Sequence, residues 1–283
     1  MAQPAVLKRI IIGEIRVTYI PDGHARLDKC ALFPSSTPEG WSLHQEWLDG
    51  NGRLVASIGS FLIETKKLNI MVDMGYGDRL LDIPGYGTFV AGRLLDNLAT
   101  VGIRPTDIDI VVYTHLHRDH IGWTSHLVES SRKLTFPNAA YLLSSVEWDF
   151  WRGPDVEIGP SLKEVREPLE DRAKFVVDGQ VIAPGVSVMA TPGHTPGHLA
   201  VIVSSEGRRA IILGDIVHCP VQFHMTDWNM LYDVAPDLSI RTRQQFIKDF
   251  SDDDTIIAGG HFGNVVFGQL ITKHGKPRWR TLE

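Results

Sequence analysis

The stretch Thr114–His120, which reads THLHRDH, places four potential metal ligands within six residues. They are His115, His117, Asp119 and His120. The preceding apolar run IDIVVYTH predicts a buried strand that ends at the first histidine. Side chains two residues apart on an extended chain point the same way, so the first two histidines can face one centre. Imidazole and carboxylate ligands in this mixture suit zinc, and also iron or manganese.

Three further predicted strands end in a potential ligand. His194 follows VSVMA in a turn rich in Gly and Pro, Asp215 follows RRAIIL, and His261 follows TIIA. A carboxylate at the end of an apolar strand is costly unless it is paired or bound to a metal. Each of these signals is weak alone. Four strand ends that each deliver ligands predict one shared metal site.

Hydrophobic patterning predicts strands in groups with helices between them, which is an α/β or α+β class. Pro236 stands at a plausible first position of an amphipathic helix. No change in composition marks a second domain, so we expect a single domain over residues 1–283. The predicted strands are 9–20, two arms within 54–72, 108–115, 138–143, several between 175 and 217, and 255–261; the predicted helices are 88–101, 161–173 and 236–250.

Residues 21–50 are rich in Pro, Gly and polar side chains and predict a long loop. They also contain Trp41 and Trp47. Long loops in compact domains are often functional. The segment is therefore interpreted as a lid over the site or as a contact between two copies in a homodimer. A surface loop without a functional role is the alternative.

The composition argues against several classes of protein. The net charge is −6 and no long Lys/Arg run occurs, which disfavours a nucleic-acid partner. The sequence contains no run of eighteen apolar residues, so no membrane span is predicted. Two cysteines, Cys30 and Cys219, are expected to be reduced thiols in a cytoplasmic protein.

The motif HxHxDH, a later His, a later Asp and a last His together resemble the metallo-β-lactamase superfamily of hydrolases. The resemblance covers approximately residues 50–265. It implies a four-layer αβ/βα sandwich, with two sheets back to back, helices outside and the site at one edge. It implies that Asp73 orients the ligands. It also implies one metal on His115, His117 and His194, a second on Asp119, His120 and His261, and Asp215 as the bridge between them.

Two divalent ions, with zinc favoured over manganese, iron or cobalt, are expected to share one water. Bound water of this kind has a pKa of about 7, so a metal-bridging hydroxide is the expected nucleophile. Asp119 can also handle a proton as the leaving group departs. His218 is a candidate donor to a developing oxyanion, with a histidine bonded to backbone as the alternative. Asp119, Asp215 and His218 are therefore the predicted catalytic residues.

Within the superfamily, the sequence resembles the small-molecule lactonases and the organophosphate hydrolases similar to methyl parathion hydrolase. Many true β-lactamases carry Cys or Ser at the position of Asp215, so β-lactam hydrolysis is less favoured. The short stretch after His261 leaves little room for the helical domain of glyoxalase II-like thioesterases. Acyl-homoserine lactonases often place Tyr where this chain has His218, which weakens that particular substrate assignment.

The primary hypothesis is a hydrolase that opens a lactone or a related small carboxylic ester. Phosphotriester or phosphodiester hydrolysis on the same site is the alternative, and a non-hydrolytic metal-binding protein or lyase is less favoured. The expected partner is a small-molecule substrate. Candidates for the pocket wall are Trp41, Trp47, His224, Trp228 and Tyr232.

Overall fold

The computed structural model describes residues 1–252, 254–273 and 276–282. Most of the regular structure is strand. In chain order the strands are β1 (Lys8–Ile12), β2 (Ile15–Leu27), β3 (Leu54–Glu64), β4 (Asn69–Val72), β5 (Arg79–Ile83), β6 (Gly87–Ala91), β7 (Ile110–Val112), β8 (Ser125–Val128), β9 (Ser131–Leu134), β10 (Ala140–Ser144), β11 (Ala173–Val176), β12 (Val181–Ala183), β13 (Val186–Ala190), β14 (Leu199–Ser205), β15 (Arg208–Ile212), β16 (Thr255–Ala258), β17 (Phe267–Lys273) and β18 (Lys276–Thr281).

The helices are short apart from the last one, which begins at Pro236 as the sequence predicts. Short 3-10 helices occur at Gln45–Trp47, Pro105–Asp107 and Pro220–Phe223, and a π-helix at Leu162–Arg166. The α-helices are α1 (Lys29–Leu32), α2 (Pro38–Ser42), α3 (Leu94–Thr100), α4 (Arg118–Ile121), α5 (Ser145–Phe150), α6 (Glu167–Leu169) and α7 (Pro236–Phe250).

The strands of the described residues form two large sheets and one small hairpin. The first sheet has the order β11-β10-β7-β4-β3-β2-β6-β5, and β1 pairs with β2. The second sheet runs β12 to β18 in chain order. Within these mixed sheets, β4 is parallel to β7, and β15 is parallel to β16. Parallel neighbours end at the same edge of a sheet, so the residues that follow them are brought together.

The main hydrophobic core lies between the two sheets. It joins residues such as Val17 and Ile63 from the first sheet to Val201 and Ile212 from the second. A second cluster covers the outer face of the first sheet with Leu94 and Leu98 of α3, and a third packs Phe246 of α7 on the outer face of the second. The arrangement is the expected four-layer sandwich. None of the helices in the described residues is long and apolar enough to cross a membrane.

Several predicted elements differ from the observed ones, and two of the differences occur at glycines. The predicted strand 9–20 is two antiparallel strands, because Gly13 turns the chain with a φ of 54°. The predicted helix 88–101 is strand β6 followed by α3, separated by Gly92 with a φ of 130°. The predicted helix 161–173 is a short π-helix followed by α6, before β11 begins at Ala173.

Residues 21–50 are less irregular than predicted. Strand β2 continues to Leu27 through a bulge between Pro21 and Gly23. Bulges tolerate Pro, and Gly is required here because a Cβ at position 23 would lie 1.9 Å from the carbonyl oxygen of Val90. The rest of the segment contains α1 and α2 and packs Trp41 and Trp47 into a hydrophobic cluster with residues of β2 and β3. Its role as a lid or a homodimer contact stays a prediction.

Candidate metal centre

The candidate site lies where strands of both sheets end. Asp73 follows β4, and His115 opens the loop after β7. The loop after β13 carries His194, and β15 and β16 lead to Asp215 and His261. All seven predicted ligands come together here in two groups: His115, His117, His194 and Asp215; and Asp119, His120 and His261.

Three imidazole nitrogens converge in the first group. Nδ1 of His117 lies 3.1 Å from Nε2 of His115 and 2.8 Å from Nε2 of His194. Oδ2 of Asp215 lies 3.6 Å and 3.2 Å from those two Nε2 atoms. All four side chains are buried.

The second group is more open to solvent. Nε2 of His120 lies 3.1 Å from Nε2 of His261. Asp119 approaches them with its two oxygens at 3.9 Å and 3.6 Å respectively, and its side chain remains 29% exposed. Asp119 is therefore the member of the cluster best able to exchange protons with solvent.

Asp215 lies between the two groups. Its Oδ2 faces the first group, and its Oδ1 lies 3.3 Å from Nε2 of both His120 and His261. This Oδ1 is buried and makes no hydrogen bond within the described residues. One carboxylate thus presents a separate oxygen to each set of imidazoles.

Hydrogen bonds on the far side of three rings fix which nitrogen faces the centre. Nδ1 of His120 donates to Asp73, and Nδ1 of His194 donates to Asp233, at 2.9 Å and 2.8 Å. Nδ1 of His261 donates to the carbonyl oxygen of Ser57 at 2.8 Å. These bonds leave the Nε2 lone pairs directed inward, which is how outer partners prepare histidine for metal.

His115 is oriented through a relay. The hydroxyl of Thr114 donates to Oδ2 of Asp73 at 2.8 Å and lies 3.0 Å from Nδ1 of His115. Because the hydroxyl proton goes to the carboxylate, Nδ1 of the imidazole is the donor in the second bond. Asp73 also accepts from the backbone N–H of Thr114, so it orients ligands of both groups as predicted.

The donor set fits divalent cations. Neutral imidazoles with inward lone pairs repel one another unless a proton or a cation lies between them. Ligand atoms about 2.0–2.1 Å from a tetrahedral zinc ion lie about 3.3 Å apart, which is close to the observed spacings. The unpartnered Oδ1 of Asp215 is a further acceptor that a cation would satisfy.

The electrostatics of the centre also favour positive charge. Burial opposes ionisation of Asp215, but the surrounding histidines, led by His120 and His261, hold its pKa well below the usual range. Burial likewise opposes protonation of His194, but Asp215 and Asp233 raise its pKa to about 9. Burial and neighbouring His120 hold the pKa of His115 well below its usual value.

His198 supports the backbone of the bridging carboxylate. The N–H of Asp215 donates to Nε2 of His198 at 2.8 Å, and Nδ1 of His198 donates to Thr191 at 2.7 Å. Burial, followed by nearby His194, lowers the pKa of His198 to about 3. Gly214 is needed here because its φ is 54° and a Cβ would lie 2.5 Å from Nε2 of His198. His198 therefore orients Asp215 from outside the metal cluster.

His218 lies beside the cluster and lines the adjoining cavity. Its Nε2 is 3.1 Å from Oδ2 of Asp215, and neither ring nitrogen makes a hydrogen bond within the described residues. Burial, opposed by Asp215, lowers its pKa, so the ring is neutral at neutral pH. Burial also raises the pKa of the Cys219 thiol, which removes it as a nucleophile at neutral pH.

The cavity over the cluster has largely apolar and aromatic walls. Among the predicted pocket residues, Tyr232 lines this cavity. Trp41, Trp47 and Trp228 pack in a neighbouring hydrophobic cluster, and His224 lines a separate depression, so these four predictions were wrong. Other lining residues are Ala25, Leu27, Leu32, Ala56, Ile58, Tyr76, Ile83, Tyr86, Phe89, Arg118, Glu157, Ile158 and Met230.

The fold and the site together define a metal-dependent hydrolase. The sequence profile of the metallo-beta-lactamase superfamily matches residues 57–261. This match spans more than half of the chain. The chain therefore belongs to that superfamily.

Individual relatives agree with this membership. An N-acyl homoserine lactonase from Bacillus sp is 26% identical over 210 residues, covering 70% of this chain and 74% of the relative. The crystal structure of hydrolase AbOPH in the β-lactamase superfamily is 26% identical, with a TM-score of 0.82 and 99% of both chains covered. The structure of AidC, a dizinc quorum-quenching lactonase, shares the fold with a TM-score of 0.84 at 23% identity, covering 98% of this chain and 97% of that one.

The sequence interpretation missed three residues around the histidines. They are Ser57, which holds His261 through its backbone carbonyl, Asp233, which holds His194, and Glu147, which binds two of the loops. Asp233 lies in the loop before α7, and an acidic residue in a loop gives no signal of this role. A backbone carbonyl gives no residue-type signal at all. Only the folded arrangement identifies these contacts.

Asp73→Asn tests the outer hydrogen bonds. The amide cannot accept all three of the bonds that the carboxylate accepts, so zinc affinity should fall by about 10–100-fold. Competition with a chromophoric chelator measures this affinity. Asp109→Asn is the matched control, because Asp109 bonds the backbone of Asn69 near the opposite ends of β4 and β7. Equal affinities in the two variants would contradict the orienting role of Asp73.

Proposed function

We propose that this chain is a dinuclear metal-dependent hydrolase that opens a lactone or a related small carboxylic ester. The observation that carries the proposal is the placement of Asp215, whose two oxygens face two separate imidazole groups beside an apolar cavity. A single cation would leave one of these groups without a partner. Zinc is the proposed ion, because histidine and carboxylate ligands suit it.

The proposed ligands follow the two groups. One ion would be held by His115, His117 and His194. The other ion would be held by Asp119, His120 and His261, and Asp215 would bind both ions. When bound, such ions lower the pKa of coordinated water to about 7 and polarise the substrate carbonyl. No serine or cysteine nucleophile is then required.

The protein's own groups would guide the proton and the developing charge. Asp119 reaches solvent and belongs to the second group, so its carboxylate could accept the proton released by the attacking water and then pass it to the departing alkoxide. The neutral ring of His218 can donate a hydrogen bond to the carbonyl oxygen as it gains negative charge. Both side chains line the cavity in which the substrate would lie.

The walls of the cavity favour an uncharged substrate with an apolar substituent. Apolar surface in the wall comes from residues such as Leu27, Ile58 and Phe89. Burial raises the pKa of Tyr86, so its phenol stays neutral at neutral pH. The lactonase relative at 26% identity supports the choice of a cyclic ester. Phosphotriesters are the alternative, because the same ions would activate water against a phosphoryl centre.

A substrate panel tests the reaction class. The zinc-loaded protein should hydrolyse γ- and δ-lactones carrying alkyl chains with kcat/KM at least about 100-fold above that for paraoxon-like phosphotriesters, because the site is proposed to be complementary to an ester carbonyl. Proton release at constant pH follows lactone opening, and release of nitrophenol follows the phosphotriester. The reverse preference would favour the organophosphate alternative, and inactivity on both would reject a hydrolase of either kind.

Asp215→Ala and His120→Ala test the ligand assignment. Each variant should lose at least one zinc equivalent and nearly all activity, because the substitution removes a side chain that is proposed to bind zinc. Elemental analysis after dialysis measures the zinc content. Asp96→Ala is the control, since this exposed carboxylate pairs with Arg93 on the surface. Full zinc content in either site variant would contradict the assignment.

His218→Phe tests the proposed donor. Loss of one hydrogen bond to a developing oxyanion should lower kcat by about 100-fold. Zinc content should remain at two equivalents, because His218 is not a proposed ligand. His218→Gln keeps an N–H donor and should recover part of the rate. An unchanged kcat in the Phe variant would remove His218 from the mechanism.

A further inference from the structure

Glu147 is a buried carboxylate that the proposed reaction does not use. It lies in the first turn of α5 and is 1% exposed. Its Oε1 accepts from the backbone N–H of Leu116 at 3.0 Å and from Nε1 of Trp151 at 2.8 Å. Its Oε2 accepts from the backbone N–H of Gly197 at 3.1 Å. One side chain therefore bonds two loops that are 81 positions apart in the sequence.

The two loops are those that carry the first ligand group. Leu116 lies between His115 and His117, and Gly197 lies three residues after His194. Nδ1 of His117 and Nε2 of His194 are 2.8 Å apart. The distance between these ring nitrogens depends on how the two loops are placed relative to each other. The Glu147 carboxylate bonds both loops and so helps to fix this placement.

The contact at Gly197 is close enough to exclude other residues. A Cβ at position 197 would lie 2.2 Å from the backbone nitrogen of Glu147 and 2.6 Å from its Cβ. The loop that carries His194 thus rests directly on the first turn of α5. All three groups that reach Glu147 are hydrogen-bond donors, so an acceptor with two oxygens is required.

The second ligand group is held by different contacts. His120 is bonded to Asp73, and His261 to the carbonyl oxygen of Ser57. Neither bond involves α5. The two halves of the centre are therefore oriented from separate parts of the fold.

We propose that Glu147 is a positioning residue that sets the distance between His117 and His194 and so tunes the first metal site selectively. The inference rests on the metal ligands of the proposed function and is independent of the substrate. A carboxamide at position 147 keeps the shape but turns an N–H toward one of the donors. We therefore expect weaker metal binding by the first ligand group and unchanged metal binding by the second.

The test measures metal affinity in two backgrounds that each retain one ligand group. Asp119→Ala/His261→Ala keeps the first group, and His117→Ala/His194→Ala keeps the second. Glu147→Gln should weaken zinc binding about 10–100-fold in the first background and less than about threefold in the second, which is the range expected for loss of an outer partner. Chelator competition gives both constants, and the visible spectrum of the cobalt-loaded protein should change in the first background alone.

Glu164→Gln is the matched control, because Glu164 pairs with Arg79 and Arg132 and its side chain bonds neither of the two loops within the described residues. It should leave zinc affinity unchanged in both backgrounds. A merely structural Glu147 would lower the melting temperature and leave both constants unaltered, and equal weakening in both backgrounds would also overturn the inference. Absence of zinc uptake by the unsubstituted protein would instead reject the proposed ligands, and this inference with them. A native protein that binds zinc but opens no lactone would reject the substrate alone.

Discussion

The structure of the site depends on one buried charge. Asp215 is 3% exposed and lies among five imidazoles, those of His115, His120, His194, His218 and His261. An isolated carboxylate in such a place would be very costly. Positive charge around it is therefore a requirement of the fold, and protons or cations must supply it. The raised pKa of His194 and the lowered pKa of Asp215 express this same requirement.

The sandwich makes this concentration of polar groups possible. Strands with both faces buried provide rigid supports, and parallel pairs such as β15 and β16 end at one edge. Asp73, Asp233 and the carbonyl oxygen of Ser57 then hold the rings from outside. A buried polar network is stabilising only when its members are satisfied. These hydrogen bonds satisfy the outer nitrogens of the three rings. The inner nitrogens are directed toward the centre, where a ligand can satisfy them.

Residue type explains how much of this site could be predicted from the sequence. The histidines and Asp215 were identified because they follow apolar strands, where such side chains are rare without a purpose. Glu147 and Asp233 were missed because acidic residues in a first helical turn and in a loop are ordinary. The course of the chain near Gly23 was also missed, since a bulge and a loop share the same residue preferences.

The neighbouring cavity gives the charged centre its chemical setting. Apolar walls keep the local dielectric low, so hydrogen bonds and charges near the cluster act more strongly than they would in water. Asp119 differs from the other members of the cluster because its side chain is 29% exposed. The solvent-accessible carboxylate therefore lies on the side of the second group, whereas the four side chains of the first group are buried. This difference in exposure distinguishes the two halves of the centre.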